Sequence, residues 1–184
     1  MQQKSSSAKV LFKPVAMAAM LLSFGLVAAY GQPGQINMTV SGSAAASTVN
    51  LQPGTPASEY QLAGHGNLGP LTLRVISAGG VPQQSNTCSG PMKLYVPVVA
   101  GGAVARLENG DILKLNLTEG NDCIDFAAGH AICTRVFQIL GGTGRFNNLS
   151  GGAITLTMTV VPVLADASKN PVFFAVTGVV SGTI

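Results

Sequence analysis

The stretch AITLTMTVVPV, residues 153–163, puts Ile154, Leu156, Met158 and Val160 on one side of an extended chain and Thr155, Thr157 and Thr159 on the other. Strict alternation of this kind means a half-buried β-strand, because successive side chains of a strand point to opposite faces. Related runs, each bounded by Gly, Pro, Asn or Asp, are YQLAGHG, PLTLRVISA (70–78), MKLYVPVVA (92–100), AVARL (103–107), DILKLNLT (111–118), AICTRVFQIL (131–140) and VFFAVTGVVSGTI (172–184). Together they predict an all-β domain of about eight strands. β-Branched residues and threonine dominate these runs, and none of them shows apolar residues at helical spacing with caps. Glu108-Asn109-Gly110-Asp111 is the clearest hairpin turn, since Asn and Gly tolerate the positive φ of a type I′ turn. Strand number and spacing fit a β-sandwich as well as a closed antiparallel barrel.

The N-terminus differs in kind. Lys4, Lys9 and Lys13 precede the apolar run VAMAAMLLSFGLVAA, which ends at Ala29. A basic lead, a short apolar run and small residues at Val27-Ala28-Ala29 or Ala29-Tyr30-Gly31 make a cleavable secretory signal over residues 1–31. As a helix the run rises only about 22 Å, short of the roughly 30 Å hydrocarbon core. The mature chain is expected to start between Tyr30 and Gln35. Residues 32–58, rich in Ser, Ala, Gly and Pro, read as a flexible lead with one or two short strands, and the compact domain as 59–184.

Cleavage changes the charge argument. Of ten Lys and Arg residues, the three lysines lie in the signal, leaving seven cations against seven acids. The mature domain is therefore neutral, which gives no support to nucleic acid or an anionic membrane as partner. Short strands and few aromatic residues also argue against an outer-membrane barrel. Export exposes Cys88, Cys123 and Cys133 to oxidation. Cys123–Cys133 is the expected disulfide, because the pair flanks the short excursion IDFAAGHAI; Cys88 with either of the others is the alternative.

Residues 141–151, GGTGRFNNLSG, pose the sharpest functional question. A phosphate loop needs a strand, glycines and then a helix with Lys-Ser or Lys-Thr. Only the strand and the glycines are here, so Gly141, Gly142, Gly144 and Gly151 are expected to shape a turn. With RVFQIL before it and ITLTMTV and a Phe-containing terminal strand after it, this loop resembles the carboxy-terminal half of the allene oxide cyclase and dirigent barrels; ENGDILKLN is similar to an upstream hairpin of their bacterial secreted relatives. The likeness covers about residues 104–184. It implies an antiparallel eight-stranded β-barrel with an apolar interior, often dimeric or trimeric. In plants such barrels steer a lipid epoxide or paired phenoxyl radicals to one stereochemical outcome. The polar cavity residues behind those activities have no counterpart motif here, so the resemblance speaks for fold rather than reaction.

Other polar residues read more plainly. Asp125, His130 and Cys133 could form a thiol triad, and Asp122, Cys123, His130 and Cys133 a metal set, but nothing local brings either together; no catalytic residue, metal or cofactor is expected. His65 reads as a solvated turn residue, and Arg145 as pairing with a local carboxylate or backbone carbonyl rather than binding an anion. Arg135 alternates with Cys133, Phe137 and Ile139, so it is either a cavity group or on an outward face; the outward face is the expectation. Asn37, Asn116 and Asn148 are acceptors wherever N-glycosylation operates. The absence of Trp and scarcity of Tyr weaken a sugar-stacking role. Two functions follow: an exported, non-catalytic barrel that binds a small apolar molecule or serves as a surface module, or a cofactor-free isomerase or coupling guide. A cavity with two or more buried polar groups favours the second, and an interior filled by aliphatic and aromatic side chains the first.

Overall fold

The computed structural model describes residues 34–184, so the expected signal segment, residues 1–31, lies outside the described residues. The strands are β1 (Gln35–Ser47), β2 (Ala57–Gly66), β3 (Leu71–Gly79), β4 (Gln83–Gln84), β5 (Leu94–Leu107), β6 (Ile112–Asp125), β7 (His130–Gly142), β8 (Ala153–Ala165) and β9 (Pro171–Thr183). They run antiparallel in the order β3-β2-β1-β9-β8-β7-β6-β5, and pairing of β3 with β5 closes the ring. The fold is thus an eight-stranded antiparallel β-barrel, with the two-residue β4 lying on β5 beyond the end of β3. Closure leaves no long open sheet edge and separates the barrel from the sandwich.

Two strand assignments change. The lead expected over 32–58 contains β1, which pairs with β2 and β9 and buries Ile36, Met38, Val40 and Ala44. The runs 92–100 and 103–107 form one strand, β5, which passes straight through Gly101 and Gly102. These glycines do not end a strand: a Cβ at Gly101 would press on the Ile76 carbonyl of β3, 2.6 Å away, so the residue permits close approach of two backbones.

Inward residues alternate around the ring: Leu73 and Val75 on β3, Ala103 and Ala105 on β5, Leu113 and Leu115 on β6, Phe137 and Ile139 on β7, Leu156 and Met158 on β8. Outward positions carry mostly Thr, Ser, Asn, Gln and charged residues. β6 breaks the alternation. Its register against β7 shifts between Leu117 and Glu119, and the inward set changes from Leu113, Leu115 and Leu117 to Gly120, Asp122 and Ile124. A β-bulge re-aims every side chain beyond it in this way.

That bulge also decides the disulfide. Cys123 pairs across the strands with Ile132, and Asp122 with Cys133, so Cys123 and Cys133 sit on opposite faces of the β6–β7 ladder. The expected Cys123–Cys133 bridge is therefore corrected: Cys88 is bonded to Cys123, with a Cα–Cα distance of 5.2 Å, and Cys133 is a free, buried thiol. The bridge ties the connection between β4 and β5 to the upper end of β6.

The segment 141–151 closes the lower end, where β1, β6 and β8 begin. A 3-10 turn over Gly144–Phe146 drives Phe146 into the core, 1% exposed. The Thr143 hydroxyl accepts the Ile112 amide at 2.9 Å, and the Thr143 amide donates to the Ile112 carbonyl at 2.8 Å. Gly144, at φ 56°, leaves room for the Asp111 carboxylate, which a Cβ there would overlap. Asp111 accepts the Arg145 amide at 3.3 Å and lies 3.8 Å from the Arg145 Nε. The chain's own carboxylate thus occupies the place an anion would need.

Candidate functional site

Arg135 points inward on β7, 1% exposed, in the ring of Phe137 and Ile139. The expectation that this face lies outside is overturned; Arg135 is an interior cation. Its place is made by the strand beside it. Arg135 faces Gly120 across the β6–β7 ladder, and a Cβ at Gly120 would crowd the Arg135 Cδ at 3.1 Å. The bulge below Gly120 then turns Asp122 into the barrel, where its Oδ1 accepts Arg135 Nη1 at 2.7 Å.

The guanidinium reaches four elements. Nη1 also donates to the carbonyls of Asn121 and Thr134, both at 2.9 Å. Nε donates to Ser77 Oγ on β3, and Nη2 to the Tyr60 hydroxyl on β2, each at 3.3 Å. The cation also lies 5.9 Å from the Tyr60 ring centroid. Among the described residues no buried side-chain nitrogen or oxygen lacks a partner. A buried charge is tolerated only when paired and hydrogen-bonded, and Arg135 is both.

Electrostatics hold Cys133, Tyr60 and Arg135 of this cluster each in its protonated form near neutrality. Burial pushes the Cys133 thiol far above its ordinary value, and the Asp122 carboxylate adds to the effect. Burial likewise raises the Tyr60 phenol, outweighing the opposing pull of Arg135. For Arg135 burial disfavours the charge, but Asp122 and then Tyr60 more than restore it, so the guanidinium stays protonated. A general acid or base needs a pKa near working pH, and a nucleophilic cysteine needs its thiolate. Burial moves the Cys133 thiol and the Tyr60 phenol away from that range.

The other polar sets weighed in the sequence lie apart. Asp125 Oδ1 accepts the amides of Ala127 and Ala128 at the β6–β7 turn, and His130 Nδ1 lies 3.4 Å from the Ala128 carbonyl. Cys133 faces Asp122 and Tyr60 instead, so no thiol triad forms. The metal set loses Cys123 to the disulfide. His65 is exposed on the outer wall, its Nε2 3.2 Å from Thr39 Oγ1. Arg145 donates to the Leu68 carbonyl at 2.7 Å beside its pairing with Asp111.

Open space is distributed unevenly. In the lower half of the barrel, the void among Met38, Leu73, Leu113, Phe137 and Leu156 is about 20 Å³, smaller than the ligand cavities of open barrels. At the upper end a hollow of about 370 Å³ opens between two hairpin tips. Pairing of β7 with β8 stops at Ala131 and Val160, while β8 and β9 continue beyond. The gap is lined by Ile124, Phe126, Ala131, Val160, Pro162 and Phe174, with His130 and Asp125 at its rim. From the sequence, the residues of this hollow read only as parts of strands and a turn.

Comparison with known proteins finds no family model that matches this chain, and no similar curated protein or solved structure.

Proposed function

We propose that the protein is an exported, non-catalytic β-barrel that holds a small apolar molecule in the hollow at its upper end. One observation carries this reading: the interior is filled and its polar cluster satisfied, whereas the mouth keeps about 370 Å³ of mostly apolar space. That volume and lining suit a small-molecule site, with His130 and Asp125 as the few polar groups that orient a ligand. The Cys88–Cys123 bridge supports an oxidising compartment, in keeping with the signal read at residues 1–31. Polar outward rows, such as Asn37, Thr39, Ser41 and Ser43 on β1, speak against a lipid-facing wall, although the strands are long enough for one.

The isomerase reading has one feature in its favour, the Tyr60–Asp122–Arg135 cluster. Catalysis there needs a substrate against those groups, and Arg135 and Tyr60 are buried, with only Asp122 partly exposed. The resemblance of residues 104–184 to allene oxide cyclase and dirigent barrels agrees with the closed architecture, and adds no reacting group.

Titration with Nile red, a neutral apolar dye, tests the site. Wild type should enhance its fluorescence, Ala131→Trp should abolish the effect by filling the hollow, and Leu140→Trp on the outer wall should leave it intact. Equal enhancement by wild type and Ala131→Trp would place the dye elsewhere and refute the assignment.

A further inference from the structure

We propose that the outer wall formed by β2, β3, β5 and β6 binds a carboxylate-bearing polysaccharide along a cationic track. The cations are Arg74 on β3, Arg106 on β5 and Lys114 on β6, all outward and exposed. Cross-strand register fixes their arrangement. Val104 pairs with Arg74 on one side and Lys114 on the other, and Arg106 lies two residues farther along β5. Strand spacing puts Arg74 and Lys114 about 10 Å apart, with Arg106 about 7 Å along the strand from their common line.

Charge on the barrel wall is segregated. β1, β8 and β9 contain no Lys, Arg, Asp or Glu. Arg135 is interior, while Lys93, Arg145 and Lys169 lie outside the strands. Every outward strand cation therefore falls within this one triangle. None of the three has an ion-pair partner among the described residues, where the two ion pairs are those of Arg135 and Arg145. A neutral domain that gathers three unpaired cations around one valine has a local field that attracts anions.

Shape points to a chain rather than a compact anion. Three depressions adjoin here, of about 690, 460 and 470 Å³. The first two share Arg74, and the last two share Thr72. They exist because short outward residues, Ala63, Thr72 and Gly102, lie between the long cations. Three acids adjoin the track: Glu59, which lines the first depression with Arg74 and Lys114 and whose Oε1 accepts the Ser47 hydroxyl at 2.6 Å, Glu108 at the lower hairpin, and Glu119, exposed farther up β6 beyond Lys114. The depression in between, lined by Gln61, Ala63, Thr72 and Arg74, holds no acid, and Gln61 and Thr72 offer neutral hydrogen-bonding groups for hydroxyls.

Single-stranded nucleic acid fits poorly, because base binding uses aromatic platforms. The one ring lining the track is Tyr60, whose side chain is turned inward and 5% exposed. An anionic sugar chain needs cations and hydrogen-bonding groups but no stacking ring, which also removes the objection raised by the missing tryptophan.

Affinity electrophoresis in native gels cast with polygalacturonate, neutral dextran or polyglutamate tests the proposal. Wild type should be retarded by polygalacturonate at low salt, less so at high salt, and not by dextran. The variant Arg74→Gln/Arg106→Gln/Lys114→Gln should bind at least about tenfold more weakly, while Lys93→Gln/Lys169→Gln, which removes two cations remote from the track, should match wild type. A melting curve of each variant checks folding. No retardation of wild type, or equal retardation of the triple variant, overturns the proposal. Stronger retardation by polyglutamate than by polygalacturonate also overturns it, in favour of an acidic protein partner.

Discussion

In the lower half of the barrel the inward side chains are Ile36, Met38, Leu73, Leu113, Phe137, Ile139 and Leu156, and Phe146 of the 144–146 turn plugs the end. In the upper half the same ring of strands surrounds Tyr60, Ser77, Asp122, Cys133 and Arg135. Beneath the hollow at the upper mouth both sets of side chains are largely buried, but by different physics. The lower half is stabilised by apolar burial, at about 25 cal/mol for each Å² removed from water. The upper half meets the cost of burying a guanidinium by giving each of its nitrogens an acceptor, including a carboxylate. An apolar core tolerates substitution of similar volume, whereas a buried charge depends on every partner. The upper half is therefore the more specific and the more fragile of the two.

The largest effect should come from Arg135→Ala, which strands Asp122 and Tyr60 and opens a cavity. Urea unfolding should report a loss of about 3–5 kcal/mol. Arg135→Met combined with Asp122→Leu should recover most of it, because both charges leave together. A loss below that of an ordinary aliphatic truncation in the lower half would abolish the contrast.

Next comes the disulfide, which fastens the upper end alone. Cys88→Ser/Cys123→Ser frees a connection of 35 residues, and the chain-entropy account gives a loss of about 3–4 kcal/mol. Peptide mapping without reduction should recover Cys88 linked to Cys123, with Cys133 alkylated only after unfolding.

How much of this was legible in the sequence follows the same division. The eight strand-like runs map, to within two residues at their ends, onto seven strands, β2, β3 and β5 to β9, because alternation survives wherever one face is apolar and the other polar. β1 was hidden by Gly42 and the Ala and Ser residues after it, which dilute the signal of Ile36, Met38 and Val40. β5 was cut in two because a glycine pair looks like a turn until a neighbouring strand requires the close approach. The upper site was illegible for one reason: the bulge at Leu117 and Glu119 inverts the parity of all that follows on β6. Counting from Leu113 and Leu115 puts Cys123 inside and Asp122 outside, the reverse of the structure. Arg135, which alternates with Cys133, Phe137 and Ile139, is then left without its carboxylate, and the sequence leaves it between a cavity group and an outward one. The glycine turn, whose work is local, needed no such information.

At the lower end Gly144→Val should cost about 1–3 kcal/mol, from a positive φ and from collision with the Asp111 carboxylate. This is smaller than the Arg135 effect because the 3-10 turn can shift toward solvent. Thermal melts compare the two directly.

A milder test exploits the raised thiol. A group whose pKa is higher in the fold keeps its proton longer there than in the unfolded chain, so its stabilisation is complete below the unfolded value, about pH 8.5 for Cys, and declines as pH rises above it. Stability should be flat in this respect up to that pH and then fall by about 1 kcal/mol over the next unit. Cys133→Ala should flatten that portion of the curve, leaving a decline above about pH 10 where the Tyr60 phenol, also raised, takes over. An unchanged slope in Cys133→Ala would mean that the thiol is not sealed in the upper half.

The smallest effect belongs to Arg145→Ala. Arg145 is half-exposed, sits 3.8 Å from Asp111 and lies 5.2 Å from the Phe146 ring centroid. Solvent screens such a pair, so removing it should cost less than about 1 kcal/mol. The hydrogen bond from Arg145 Nη2 to the Leu68 carbonyl is also at the surface, where water replaces it. Since Asp111 already accepts the Arg145 amide, added phosphate should leave the melting temperature of wild type and Arg145→Ala alike unchanged. A phosphate-dependent rise that disappears in Arg145→Ala would show that the carboxylate yields its place to an external anion, and that residues 141–151 bind a ligand as well as close the barrel.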